Sequence, residues 1–117
     1  MAERVLKNQH FFHLLLTTHL PQKKALLQSL TNDQVDFLSE VFYNLLHVLP
    51  LTEKERKPLL RKKYLTQIGN IKRSYPYRKV RIKKYSKQLI QTLENYTRQF
   101  KGMLDSLQGD GRTTRID

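Results

Sequence analysis

Apolar residues recur along this chain at steps of three and four, the spacing that lines one face of an α-helix. In "ERVLKNQHFFHLLLTTH" a first helix is marked by Val5, Phe12 and Leu16, with Leu6 and Leu15 beside them. Pro21 suits the first position of a second helix, "PQKKALLQSL". Thr31 and Gln34 form a capping box, in which each side chain can satisfy a free amide at a helix start. Behind them Val35, Leu38, Val41 with Phe42, Leu45 and Leu49 make one apolar stripe, and Pro50 ends it.

Thr52 and Glu55 repeat the capping box before "EKERKPLLRKKYLTQIG". Pro58 lies too deep for an uninterrupted helix, so the pattern predicts a kink there or a helix starting near Lys57. Leu60, Tyr64 and Ile68 are then expected on one face, with Gly69–Asn70 as a left-handed stop. Ser74 caps the next segment, with Pro76 tolerated in its first turn. Ile82, Leu89, Leu93, Tyr96, Phe100 and Leu107 continue at helical steps, and Ser86 divides them into a short basic helix, 75–85, and a longer neutral one, 87–107. "KVRIKKY" alternates like a short strand, but it is the weaker reading inside a run of helical spacing. The prediction is all-α: a single small irregular bundle of five or six short helices over 1–108, with a flexible tail at 109–117.

Charge changes this picture. The formal net charge is +12, and its distribution matters more than its size. Residues 1–50 carry four bases and four acids, and residues 88–117 carry the same. Residues 51–87 carry fourteen bases against Glu53 and Glu55, which is the whole excess. Within 61–87 there are eleven bases and no acid. Solvated surfaces normally mix signs, so this segment calls for an anionic partner. Nucleic acid is the best fit, DNA favoured over RNA, because cations held on a rigid helix release condensed counterions from phosphates. The expected contacts are Arg61, Lys62, Lys63, Lys72, Arg73, Arg78, Lys79, Arg81, Lys83, Lys84 and Lys87.

Four tyrosines interrupt the bases: Tyr64, Tyr75, Tyr77 and Tyr85. Exposed, they would stack on unpaired bases. Tyr64 is expected to complete a helix face instead, and Tyr75 and Tyr77 stay open. Residues 71–87 hold no Asn or Gln to read adenine, so base discrimination would rest on Arg73, Arg78 or Arg81 at guanine. Binding is therefore expected to be mostly through phosphates and weakly sequence-specific.

Other chemistry finds little support. With no cysteine, disulfides and thiolate metal sites are excluded. His10 and His13 are three apart, but no carboxylate motif or thiol accompanies them. Asp33 and Asp36 are expected in the first turn of a helix, where acids complement its dipole. No glycine-rich phosphate loop, nucleophile turn or carboxylate pair is present. The expectation is a protein with no catalytic activity, no cofactor and no small-molecule substrate. The longest apolar runs are three residues, as at Leu14–Leu16, so a membrane span and a secretory signal are both unexpected. A soluble, intracellular protein is expected.

Three stretches taken together carry a resemblance: "ALLQSLTNDQVDFLSEVFYNLL", "LPLTEKERKPLLRKKY", and "IGNIKRS" followed by a basic helix. Their order over residues 5–95 is similar to small basic proteins of Maverick/Polinton-type DNA elements and adintovirus-like invertebrate DNA viruses. That resemblance implies a viral or mobile-element protein, a virion-core or DNA-condensing role, and a location in the virion or host nucleus. The chain departs from the pattern after the basic helix. There it continues as an amphipathic helix, Leu89–Leu107, in place of a Gly-rich hydrophobic stretch. An alternative is a helical protein–protein interaction adaptor. It would hold a partner, or a second copy of itself, on the 31–49 and 87–107 stripes and dock an acidic surface on its basic face.

Overall fold

The computed structural model describes Arg4 and residues 7–108, and these contain helices and turns but no strand. The eight helices are α1 (Gln9–Thr17), α2 (Leu20–Gln28), α3 (Asn32–His47), α4 (Glu53–Leu60), α5 (Lys63–Ile68), α6 (Tyr75–Lys84), α7 (Ser86–Asn95) and α8 (Thr97–Gln108). The expected tail, 109–117, lies outside the described residues, as do Val5 and Leu6.

Local chemistry accounts for most of the boundaries. Thr31 Oγ1 accepts from the Gln34 amide at 3.1 Å, and Gln34 Oε1 accepts from the Thr31 amide at 2.9 Å. Thr52 and Glu55 repeat this reciprocal pairing at the start of α4. Ser74 Oγ accepts from the Tyr77 amide at 3.2 Å and opens α6, with Pro76 in its first turn. The 3.6-residue period of α3 buries Val35, Leu38, Val41, Phe42 and Leu45, and Leu49 just past its end is buried too, making this helix the centre of the molecule.

Around α3 the other helices close one core. Phe12 of α1 meets Phe37 of α3 edge-on at 5.2 Å and Phe100 of α8 at 5.4 Å, so three distant segments converge on one ring. Such pairs contribute about 0.5–1.5 kcal/mol beyond their buried area. Leu65 and Ile68 of α5, Ile82 of α6, and Leu89, Ile90 and Leu93 of α7 complete the cluster. Helix α6 touches α2, α3, α5 and α7, so the basic segment is mounted on four packed elements.

Three expectations need correction. Helix α4 runs through Pro58 and ends two residues later, and a break at Arg61–Lys62 then restarts the chain as α5. Leu59 is buried while Leu60 is exposed, so Leu60 does not share the inward face of Ile68 across the break. Gly69 is a right-handed cap, with φ −71° and ψ 0°, not a left-handed stop. Its lack of a side chain serves close approach instead: a Cβ there would lie 3.3 Å from the Tyr43 amide nitrogen of α3. Finally, the neutral helix bends at Tyr96 into α7 and α8. This bend and the break at Arg61–Lys62 account for eight helices among the described residues where the spacing predicts five or six.

Candidate nucleic-acid interface

The basic segment folds into the end of α4, all of α5, the turn 69–74 and α6. Leu65, Ile68 and Ile82 anchor it to the core, while Leu60, Ile71 and Val80 stay exposed among the charges. Arg61, Lys62 and Lys63 are exposed at the α4–α5 break, Lys72 and Arg73 on the turn, and Lys83, Lys84 and Lys87 along and after α6. Lys79 and Arg81 are half-buried.

Arg78 departs from the expectation. It is 2% exposed and packed beneath α6. Its Nη1 lies 2.9 Å from an Asp36 carboxylate oxygen and donates to Ser39 Oγ at 2.7 Å. The Tyr75 ring covers the guanidinium at 4.9 Å. Arg78 therefore belongs to the joint between α6 and α3 and is withdrawn from phosphate contact. Asp36 is corrected with it. It lies past the first turn of α3, and it is the counter-ion of this joint. Tyr75 donates its hydroxyl to the same carboxylate at 2.8 Å, and that bond, with burial, pushes its phenol pKa up. Among the described residues no other cation of 61–87 is ion-paired with a carboxylate. The interface keeps its excess charge uncompensated.

The tyrosines are partnered within the protein. Tyr77 holds the Arg81 guanidinium at 3.6 Å and the Arg73 guanidinium at 4.7 Å from its ring centroid. These arginines lie four residues before and four residues after it, and both guanidinium groups rest against the ring. Arg81 is fixed further, because its Nε donates to Gln67 Oε1 of α5 at 2.8 Å. Tyr64 and Tyr85 stack on each other at 4.6 Å with planes 12° apart, and Lys84 lies 5.4 Å from the Tyr85 ring centroid. Burial raises the Tyr64 phenol pKa, against a lowering hydrogen bond with Thr92. The inward reading of Tyr64 agrees with this geometry.

Tyr77, whose role the sequence leaves open, orients Arg81, and the spacing of Arg73, Tyr77 and Arg81 by four carries a signal for it. Gln67 has no such signal and needs the α5–α6 packing to reveal it. Arg56, on α4, has a different task. It donates to the Leu46 and Leu49 carbonyls at 2.5 and 2.6 Å and so closes the end of α3.

Beside the interface a cleft of about 440 Å³ opens between α3 and the turn, lined by Tyr43, His47, Asn70, Ile71 and Lys72 among others. Among the described residues no group of three or more His, Cys, Asp or Glu is placed to hold a metal ion. Nor is any helix there long and apolar enough to cross a membrane. Of the two stripes an adaptor would use, Val35, Leu38, Leu45, Leu89, Leu93 and Phe100 are buried in the core, and the side chains of Leu104 and Leu107 lie outside the described residues.

No protein-family model matches the chain, and no curated protein or solved structure does either.

Proposed function

We propose that this chain is a non-catalytic nucleic-acid-binding protein that engages phosphates through α5, α6 and the turn between them. The observation that carries this reading is the set of cations on one packed frame, none of them ion-paired with a carboxylate among the described residues: Arg61–Lys63, Lys72, Arg73, Lys79, Arg81, Lys83, Lys84 and Lys87. Such an array repels itself in isolation and gains when phosphates replace its counterions. DNA condensation or packaging is the role that suits a weakly sequence-specific surface of this kind. The resemblance to Maverick/Polinton-type and adintovirus-like proteins adds a viral or mobile-element setting and a virion-core or nuclear location. An adaptor is the weaker reading, because the described parts of its apolar stripes, Val35 to Leu45 and Leu89 to Phe100, are largely buried in the core.

A salt titration of binding to a labelled duplex tests the proposal. If the face seats roughly five phosphates, log affinity falls with log salt at a slope of about −4 to −5. Lys→Glu changes at Lys72, Lys83 and Lys84 flatten that slope. Undiminished affinity in the triple variant removes the face from the interface, and no binding at low salt ends the reading.

A further inference from the structure

The outer side of α6 is ordered in a way that charge alone does not require. Arg78 and Ile82 define its buried line. At about 3.6 residues per turn, Lys79 and Lys83 fall on one flank of that line, and Tyr77, Arg81 and Lys84 on the other. Farthest from the core, between the two cationic margins, lies Val80, 61% exposed, with Pro76 also exposed one turn earlier. The helix thus presents a narrow, small, uncharged crest with cations on both sides.

Two kinds of nucleic acid fit this crest poorly. A single strand is gripped by stacking bases on free aromatic faces. Here Tyr77 is covered by two arginines, Tyr85 by Tyr64 and Lys84, and Tyr75 is tied to Asp36 beneath Arg78. Duplex RNA has a deep, narrow major groove that side chains cannot read. The major groove of B-form DNA is about 12 Å wide and admits a helix, with phosphates along both walls.

Resting on the nucleic-acid reading above, we infer that the partner is B-form duplex DNA and that α6 lies in its major groove. Val80 and Pro76 point to the groove floor, and the two margins meet the phosphates of opposite strands. Val80 touches thymine methyl groups, an apolar contact with little sequence information. Arg81, held by Gln67 and Tyr77, reaches its phosphate already oriented.

The test compares binding of a DNA duplex of about 20 base pairs, an RNA duplex of the same sequence, and oligo-dT of matching length, at one moderate salt concentration. The wild type and Val80→Trp are measured side by side. The tryptophan changes no charge, and the exposed position leaves the fold intact, which circular dichroism checks. The expected result is a preference of about tenfold or more for duplex DNA, and a loss of about tenfold for Val80→Trp on that probe alone. Equal binding of duplex DNA by Val80→Trp overturns the groove placement. So does RNA duplex or oligo-dT bound as tightly as duplex DNA. If oligo-dT wins and Tyr43→Leu abolishes that advantage, the base is held at the cleft beside α3. If all three probes fail at low salt, the proposed function itself falls, and this outcome is distinct because it spares no probe.

Discussion

Arg78 and Arg81 are three residues apart on the same helix, and their neighbours give them opposite tasks. Arg81 leans out against Tyr77, whereas Arg78 is enclosed with Asp36 and Ser39. Breaking a buried ion pair leaves a charge without compensation, which costs about 3–5 kcal/mol, while replacing both members with apolar groups is often neutral. Arg78→Met is therefore expected to lower the urea-derived stability by about that amount, and adding Asp36→Leu should recover much of it. A single variant as stable as the wild type would place the guanidinium outside the joint. The tyrosines supply a separate residue-level prediction. Tyr64, Tyr75 and Tyr96 all have phenol pKa values raised above the ordinary 10.0, Tyr64 and Tyr96 chiefly by burial and Tyr75 chiefly by its bond to Asp36. Each holds its proton more tightly when folded, so the unfolded chain binds fewer protons above pH 10.0. The stability this confers is complete below that pH and is lost as pH rises through the raised values. Urea midpoints from about pH 9 to pH 11 should fall less steeply in Tyr64→Phe than in the wild type. Identical slopes would mean that the phenol feels no burial.

Helix boundaries separate what a one-dimensional pattern carries from what packing adds. The capping boxes at Thr31–Gln34 and Thr52–Glu55, the Ser74 cap and the α3 stripe are local, so they are legible in the sequence. The break at Arg61–Lys62 is not, because neither residue is a helix breaker. It exists because Leu65 and Ile68 must reach α3 from a different angle than Leu59. The same limit governs the interface. Its cations are visible as a charge run, but the burial of Arg78 depends on Asp36, 42 residues earlier, and on Ser39. Gly69 belongs to this second kind, and two effects compete there. Its φ of −71° suits alanine, which would gain about 0.4–1 kcal/mol by restricting the unfolded chain. Against this, a Cβ would meet the Leu65 carbonyl oxygen at 3.0 Å and the Tyr43 nitrogen at 3.3 Å, both backbone atoms. Helix α3 cannot yield at Tyr43, because Phe42 beside it is locked in the core. Overpacking of this kind costs about 1–3 kcal/mol, so the clash wins and Gly69→Ala should lower the denaturation midpoint. A raised midpoint would show that α5 can slide along α3.

For the molecule as a whole, the excess of +12 arises in one third of the chain and is displayed by one group of helices. The cost of that display falls on folding, because like charges held together on α5 and α6 repel one another more than they do in the expanded chain. Salt should then act in two opposite directions. Raising ionic strength from about 0.01 M to 0.1 M shortens the screening length from about 30 to 10 Å. That relieves the repulsion, so Tm of the free protein should rise. The same change removes the counterion-release advantage and weakens duplex binding. On the proposed function, a short DNA duplex at low salt should raise Tm too, because the fixed array of the folded form binds it more tightly than the expanded chain does. Differential scanning fluorimetry over a salt series, with and without duplex, reads both trends. The two curves should converge as salt increases, since one agent replaces the other at the same cations. A free-protein Tm indifferent to salt would mean that the cations are too widely spaced to feel one another, and a face so diffuse could not act as a single phosphate-binding surface. Convergence would tie the strain in the isolated fold and the affinity for duplex to one set of side chains.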